Sequence, residues 1–227
     1  MEILLEKYLT MDNILFMLKA AGVSVGIAAL ALTLGLCLGI LGAAGRISKN
    51  KLAHGLATFY VETIRGTPMM LQILFFYLGI PVLYQRITGT RMSANPYLVG
   101  LLALSFNSGA YQTELIRSGI QGVDKGQWEA CETLGIGYGT MMKEIILPQA
   151  FRHIIPPLVS EFITLIKDSS LISSIGALEL LYRAEVLGKK YYDYLDPLIM
   201  AGIIYLILTI ITSWLSKKLE RRMAVSD

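Results

Sequence analysis

The chain has 227 residues, of which 54% are hydrophobic and only 16% are charged, with a formal net charge of +3. This composition is typical of membrane proteins and argues against a soluble enzyme of the same length. The small net charge indicates no particular partner, because the placement of charges along the chain is more informative than their sum.

Long uncharged stretches predict helices that cross a membrane, since a helix needs about 20 mostly apolar residues to span it. The stretches 20–45, 92–113 and 197–216 contain no Asp, Glu, Lys or Arg, and two further apolar segments carry a few charges. We therefore predict an all-α integral membrane protein with five transmembrane helices in a single domain, 1–227. The predicted spans cover about 15–44, 56–84, 95–117, 145–167 and 196–216.

Positive charges concentrate in alternate loops and in the tail, which orients the predicted spans. These cations are Arg46, Lys49, Lys51, Arg117, Lys125, Lys143, Lys217, Lys218, Arg221 and Arg222. By the positive-inside rule they face the cytoplasm, so the N-terminus with Glu2 and Glu6 lies outside, as does the loop 84–95. The predicted topology is N-out and C-in, although the loop 169–196 carries charges of both signs.

Span one contains two pairs of glycines four residues apart, Gly22 with Gly26 and Gly35 with Gly39. This spacing permits the close approach of another helix, and ordinary packing is the simplest interpretation. An odd number of spans cannot be divided into two equal inverted halves, and five helices hardly enclose a cavity that opens to alternate sides. We therefore expect a second membrane subunit, either an identical copy or a paralogue.

Polar side chains recur within the spans, where a charge at the bilayer centre costs about 2.5–3.5 kcal/mol on insertion scales. Such side chains usually face protein or a water-filled path. The predicted path residues are Asn107, Tyr111 and Glu114 in span three, Glu161 and Asp168 in span four, and Gln72 in span two. The first three recur at i, i+4 and i+7 and therefore share one helical face, and Thr164 lies within the span-four stripe.

Ion pairing is an alternative role for several of these charges. Glu62 and Arg65 are three residues apart, and we expect them to neutralise each other. Glu114 has the same spacing to Arg117, so a substrate contact and a structural ion pair both remain open. Asp168 precedes a serine-rich turn, and capping of that turn is favoured over contact with a ligand.

The segment 122–144, between spans three and four, is predicted to contain a short cytoplasmic helix. Asp124 can cap its start, Gln127 takes the third position of a variant capping box, and Gly135 can end it in a left-handed conformation. Three-residue spacing predicts an apolar face with Trp128, Cys131 and Leu134, and an acidic face with Glu129 and Glu132. So short a helix is marginal in water, so it must pack on spans three and four or on another protein.

This loop resembles the EAA loop of ATP-binding-cassette import permeases. The matching residues are Glu129, Ala130, Cys131, Gly135, Ile145, Leu147 and Pro148, with Cys131 in place of the usual alanine. Further similarity to the polar amino-acid uptake branch, whose members carry histidine, glutamine, glutamate or arginine, extends over roughly 58–181. It includes RGTP at 65–68, LPQAF at 147–151 and KDSSL at 167–171, and in span three Ala110, Tyr111, Glu114 and Arg117.

The resemblance implies that the chain is the transmembrane subunit of an ATP-driven amino-acid importer. The loop would then be a coupling helix that inserts into a separate ATPase, with contacts from Trp128, Glu129, Ala130, Cys131, Leu134 and Gly135. An ATPase dimer, a second permease subunit and an external substrate-binding protein would complete the complex. The segment 177–189 has helical spacing and would meet that binding protein or rest on the membrane surface.

We expect no cofactor, catalytic residue or metal site in this chain, and no nucleic-acid partner. The sequence contains no G-x-x-x-x-G-K-[ST], and GIGYG at 135–139 lacks the lysine and the preceding strand of a phosphate loop. ATP and Mg would therefore bind to the partner ATPase. The expected location is a bacterial-type inner membrane, crossed several times and surrounded by lipid.

Two other classes of protein are alternatives. An ion-coupled carrier or channel would share the intramembrane acids but has no use for a docking helix with the EAA spacing. An intramembrane enzyme is disfavoured because the only histidines, His54 and His153, lie outside any H-E-x-x-H motif. A path lined by Asn107 and Glu114 would suit a cationic group, which favours arginine, lysine or histidine as the substrate.

Overall fold

A computed structural model describes residue 8 and residues 10–224, without the side chains of residues 219, 220 and 222–224. Glu2, Glu6 and the side chain of Arg222, which enter the topology prediction, lie outside this description. The described residues form helices and no strands. The α-helices are α1 (Met11–Ile47), α2 (Lys51–Arg65), α3 (Met69–Leu74), α4 (Ile80–Thr88), α5 (Pro96–Gln121), α6 (Lys125–Thr133), α7 (Tyr138–Thr140), α8 (Leu147–Asp168), α9 (Leu180–Tyr191) and α10 (Leu195–Ala224). Two π-helical segments, Phe75–Gly79 and Met141–Ile146, and one 3-10 segment, Ser169–Ile175, connect them.

Three described stretches are long and apolar enough to cross a membrane, namely Met11–Ile47, Met69–Thr88 and Leu195–Lys218. The helices α5 and α8 cover the third and fourth predicted spans and are also long, at 26 and 22 residues. Their polar and charged side chains, however, dilute the apolar character that marks the other three.

The second predicted span, 56–84, is divided rather than continuous. Helix α2 ends at Arg65, and α3 begins only at Met69. Pro68 has an extended backbone (φ −63°, ψ 136°) at the start of α3. The break follows from proline chemistry, because Pro lacks an N–H and its ring keeps the preceding residue out of the helical region.

Gln72, on α3, forms hydrogen bonds across this break to the end of α2 and to Thr67. Its buried Nε2 donates to the carbonyl oxygens of Ile64 at 2.7 Å and Thr67 at 3.1 Å, and it lies 2.9 Å from Thr67 Oγ1. Carbonyls at a helix end have no helical partner and need another donor. The amide of Gln72 therefore satisfies the backbone that Pro68 leaves open.

Helices α1 and α5 pack closely along a glycine-lined side of α1. A Cβ atom on Gly35 would lie 2.8 Å from Gln112 Nε2, and one on Gly39 would lie 2.7 Å from Gln112 Cβ. By contrast, a Cβ atom on Gly22 or Gly26 would meet nothing within 4 Å. The predicted close approach is thus confirmed for the second glycine pair and absent within the described chain for the first.

The N-terminal end of α1 lies at the same end of the bundle as α9 and the start of α10. Their shared buried cluster contains Tyr8, Met17, Ala20, Ala21, Leu180, Ala184, Leu187, Met200 and Ala201. A second cluster, at the opposite end of α1, joins α5, α6 and α8 through Ile120, Val123, Cys131, Met141, Ile146, Ala150 and Ile154. Helix α1 therefore connects the two ends of the molecule.

The packing of α1 on α5 predicts the effect of adding a single methyl group. We expect Gly39→Ala to destabilise the fold by about 1–3 kcal/mol, because overpacking forces neighbouring atoms apart. Gly26→Ala is the matched control, with an expected effect within about 0.5 kcal/mol. Thermal unfolding midpoints of the two detergent-purified variants measure the difference, and equal midpoints would contradict this packing.

Candidate functional site

The predicted path residues Gln72 and Asn107 meet directly. Asn107 Nδ2 donates to Gln72 Oε1 at 3.0 Å, which ties α5 to α3 just beyond the break. Tyr111, one turn further along α5, is 39% exposed, and the Arg65 guanidinium lies over its ring at 5.1 Å from the centroid. Gln72 is consequently occupied by structural bonds on both its oxygen and its nitrogen.

Glu114 is held between two arginines. Its Oε1 accepts from Arg46 Nε at 3.0 Å, and its Oε2 accepts from Arg117 Nη2 at 2.7 Å. Of the two roles left open by the sequence, the structure shows the ion pair with Arg117. The second partner, Arg46 at the end of α1, was not predicted, because that contact joins residues 68 positions apart.

The predicted pair of Glu62 and Arg65 is wrong within the described chain. Glu62 instead lies 3.9 Å from Arg46 Nη2, with its side chain 69% exposed, and Arg65 stacks on Tyr111. Three-residue spacing permits a pair on one helix, but the C-terminal end of α1 offers Glu62 another cation. The result is a cluster of charges around Arg46 that joins α1, α2 and α5.

Glu161 and Asp168 on α8 differ in their surroundings. Glu161 Oε1 accepts from Ser108 Oγ at 2.8 Å, which links α8 to the face of α5 beside Asn107. Asp168 precedes the 3-10 segment without a capping bond from its side chain. The capping role favoured for Asp168 is therefore wrong, since the chain continues from one helical form into another and leaves no free helix start to cap.

The predicted coupling helix α6 has the expected ends. Asp124 Oδ1 accepts from Gly126 N at 2.8 Å, and Gly135 adopts φ +68°. Left-handed backbone of this kind favours glycine because a Cβ atom would be strained. The side-chain oxygen of Gln127 faces Gln149 Nε2 at 3.4 Å, so the reciprocal bond of the variant capping box is replaced by a contact to α8.

The apolar face of α6 is smaller than predicted. Cys131 is buried and Trp128 packs beside it on the second cluster, the one that contains Ile120 and Ile154, so α6 rests on the ends of α5 and α8. Leu134 is 76% exposed and does not share this face, because it lies one residue past the helix end at Thr133. Glu129, Ala130 and Glu132 are also exposed. One side of α6 is thus anchored to its own chain and the other is free.

An apolar groove lies beside α6, with a volume of about 1070 Å³. It is lined by residues of α1, the end of α5 and the first half of α8, together with Trp128, Tyr138 and Lys49. The groove brings Ile47, at the end of α1, to the same surface as Trp128. None of the predicted path residues lines it.

A functional candidate that sequence reasoning missed is Glu179, at the start of α9. Its side chain is fully buried, and it accepts hydrogen bonds from two backbone amides and two side chains. It lies in the loop between spans four and five, where a charged residue is ordinary. The available signal was its position directly before a helical pattern, although Glu is not a favoured N-cap residue.

The described helices form an all-α bundle in which three stretches are long and apolar enough to cross a membrane and polar side chains pair between helices, as in an integral membrane protein. The family model of the binding-protein-dependent transport system inner membrane component matches residues 35–225. The chain belongs to this family, and it is an amino-acid ABC transporter permease, which confirms the resemblance found in the sequence.

Relatives align along nearly the whole chain. The arginine transport system permease protein ArtQ of Bacillus subtilis (strain 168) is 39% identical over 218 residues, with 96% of this chain and 97% of the relative covered. The putative glutamine transport system permease protein GlnP of Rickettsia prowazekii (strain Madrid E) is 38% identical over 214 residues, with coverage of 94% and 95%.

Solved structures share the fold. A crystal structure of an amino acid ABC transporter with histidines superposes with a TM-score of 0.88 at 35% identity, covering 95% of this chain and 98% of that one. An inward-facing structure of the MetNI methionine ABC transporter matches with a TM-score of 0.73 at 15% identity, covering 94% and 98%. The second match concerns the fold alone.

The charge cluster around Arg46 predicts unequal effects for two glutamates. We expect Glu114→Gln to destabilise the protein by about 1–3 kcal/mol, because two arginines that lie 15% and 28% exposed lose a charged acceptor. Glu62→Gln is the control, with an expected loss of about 0–1 kcal/mol for an exposed pair. The midpoint of heat-induced loss of the monodisperse peak in size-exclusion chromatography reports both, and a larger loss for Glu62→Gln would refute the assignment.

Proposed function

We propose that this chain forms one half of the membrane channel of an ATP-driven importer of polar amino acids. It crosses the inner membrane five times, N-out and C-in, and pairs with a second permease subunit, identical or paralogous. An ATPase dimer binds ATP and Mg on the cytoplasmic side, and a substrate-binding protein delivers the amino acid from outside. The single observation that carries this proposal is α6, anchored through Cys131 and Trp128 but exposed on its acidic side.

In the proposed mechanism, α6 receives force from the ATPase and passes it to the spans. ATP binding would draw the two ATPase subunits together, and each docked α6 would move with its own subunit. Because Cys131 and Trp128 pack on the same cluster as Ile120 and Ile154, motion of α6 would carry α5 and α8 along. These two helices bear Asn107, Ser108 and Glu161, so the polar walls would open to alternate sides.

The first, second and fifth predicted spans overlap stretches that are long and apolar enough to cross a membrane. The third and fourth predicted spans correspond to α5 and α8, which carry more polar side chains. Two of the polar side chains of α5 support a position of α5 and α8 inside the bundle, because their partners lie on other helices. Asn107 pairs with Gln72, and Ser108 pairs with Glu161. Such pairing is what membrane-buried polar residues require, since lipid offers no hydrogen bonds.

The exposed side of α6 predicts an uncoupled transporter. We expect Glu129→Ala to leave the complex assembled and lower ATP-driven uptake about tenfold, because a charged hydrogen bond across an interface is worth about 1.5–3 kcal/mol. Gly135→Ala should act similarly by straining the end of α6. Glu144→Gln, an exposed acid beyond the helix, is the control. ATP hydrolysis and uptake are measured together in proteoliposomes.

Undiminished uptake in both α6 variants would count against this role. A cysteine at the exposed position Leu134 offers a direct check, since it should crosslink to the ATPase. Crosslinks that reach only residues of this same chain would be incompatible with docking.

The proposed substrate is a polar and preferably cationic amino acid such as arginine, lysine or histidine. Glu114, which first suggested a cation, has both oxygens occupied by arginines. Glu161 is the better candidate, because it accepts a hydrogen bond from the neutral hydroxyl of Ser108 and no Lys or Arg lies within ion-pair distance in the described chain. Relatives named for arginine and for glutamine transport leave the substrate to experiment.

Transport competition with the twenty amino acids tests the substrate class. We expect arginine, lysine and histidine to compete best, and Glu161→Gln to weaken arginine uptake about tenfold more than glutamine uptake, since a charge-assisted bond is worth about 1.5–3 kcal/mol. Glu62→Gln, which removes an exposed acid outside the predicted path, serves as the control and should leave the ratio of arginine to glutamine uptake unchanged. A strict preference for glutamate would rule out a cationic substrate.

A further inference from the structure

Glu179 occupies a junction of three helices. It lies at the N-terminus of α9, and its fully buried side chain reaches between α1 and α10. Burying a carboxylate costs several kcal/mol unless hydrogen bonds compensate it. An apolar residue could fill the same space without that cost, so the presence of Glu at this position calls for a reason.

The bonds to this carboxylate come from all three helices. Oε1 accepts from Tyr182 N at 2.7 Å, and Oε2 accepts from Leu181 N at 2.9 Å, both at the start of α9. Oε2 also accepts from Tyr205 Oη of α10 at 2.8 Å and lies 3.4 Å from Ser24 Oγ of α1. Each of the two side-chain donors thus comes from a different helix.

The electrostatics match this geometry. Burial raises the pKa of the Glu179 carboxyl, and the bonds from Leu181, Tyr182, Tyr205 and Ser24 oppose that rise. The shorter Asp or Ser that usually caps a helix would satisfy the two amides but would not extend as far towards Tyr205 and Ser24. The extra methylene of Glu therefore serves the contacts between helices.

Other contacts secure α9 to the same end of α1. Arg183 Nη1 donates to the carbonyl oxygen of Phe16 at 2.8 Å, and its guanidinium lies 4.5 Å from the centre of the Phe16 ring. Leu180 N donates to Ser24 Oγ at 3.2 Å, so Ser24 bridges the start of α9 and the carboxylate. Helix α9 is therefore bound to α1 by these contacts as well as through Glu179.

Helix α1 continues from this junction to the coupling side of the molecule. Ser24 and Ile47 are 23 residues apart on one unbroken helix, a rise of about 35 Å at 1.5 Å per residue. Ile47 packs on the same second cluster as Trp128 of α6. A single rigid element therefore links the proposed outer surface to the proposed ATPase contact.

We infer that Glu179 is a positioning residue that transmits docking of the substrate-binding protein on α9 to α1 and α10, and through α1 to the coupling helix α6. The inference rests on the proposed function, because it needs a binding protein outside and an ATPase inside. Glu179 itself is buried and touches neither partner.

The test uses the complete transporter in nanodiscs, with its ATPase and with the liganded binding protein added at increasing concentration. We expect Glu179→Gln to reduce the maximal stimulation of ATP hydrolysis about tenfold, as loss of charged hydrogen bonds would. The binding-protein concentration for half-maximal stimulation should stay within about twofold, because the outer face of α9 is unchanged. Hydrolysis without binding protein should change equally little.

Tyr205→Phe and Ser24→Ala keep the carboxylate and both backbone bonds, so they decide the question should Glu179→Gln fail to assemble. Each should reduce the maximal stimulation of ATP hydrolysis. The double variant Tyr205→Phe/Glu179→Gln should reduce it little further than Glu179→Gln alone, because both substitutions affect the same hydrogen bond between α9 and α10. Tyr182→Phe is the matched control, because its hydroxyl takes no part in the Glu179 bonds.

Full stimulation in Tyr205→Phe and Ser24→Ala would overturn the inference. The inference would also fail if Glu179→Gln kept the maximal stimulation of ATP hydrolysis but needed more binding protein for half-maximal stimulation. Glu179 would then only shape the docking surface. A wild-type complex that lacks an ATPase, or whose ATPase ignores the binding protein, would contradict the proposed function and the inference with it.

Discussion

The structure depends on one constraint, that polar groups within a membrane must find their partners inside the protein. Pro68 breaks the second predicted span, and Gln72 supplies the donors that the broken backbone needs. Asn107 then binds the remaining oxygen of Gln72. The break in the second predicted span therefore comes with a contact between α3 and α5. The side-chain amide of Gln72 makes these bonds and is not available to bind a substrate.

Helix α1 has a larger role than that of a first span. Its glycine-lined side packs closely on α5, Arg46 in its last turn binds Glu114, and Ser24 in its N-terminal half contacts Glu179. Because closely packed protein interiors have low compressibility and transmit strain, α1 is suited to the transmission proposed between its two ends. The polar pairs formed by α5 and α8 lie next to α1, so the proposed movement of α1 would act on them.

The site was predictable to the extent that it depends on local spacing. The ends of α6 at Asp124 and Gly135 follow from capping and from left-handed backbone, both of which involve residues close in sequence. The exposure of Leu134 did not follow, because periodicity cannot say that the helix stops one residue earlier. The partner of Glu62 was missed for a related reason, since Arg46 belongs to another helix.

The sequence by itself determined the class of protein, its helical character and the family, because composition, hydrophobic length and the EAA spacing are properties of neighbouring residues. Only the tertiary structure decided which polar residues are structural and which remain candidates for substrate. It assigned Glu114 to two arginines, showed that Asp168 does not cap the following turn and revealed the buried Glu179. The physical reason is that a buried charge is defined by its partners, and these partners come from helices far apart in the chain.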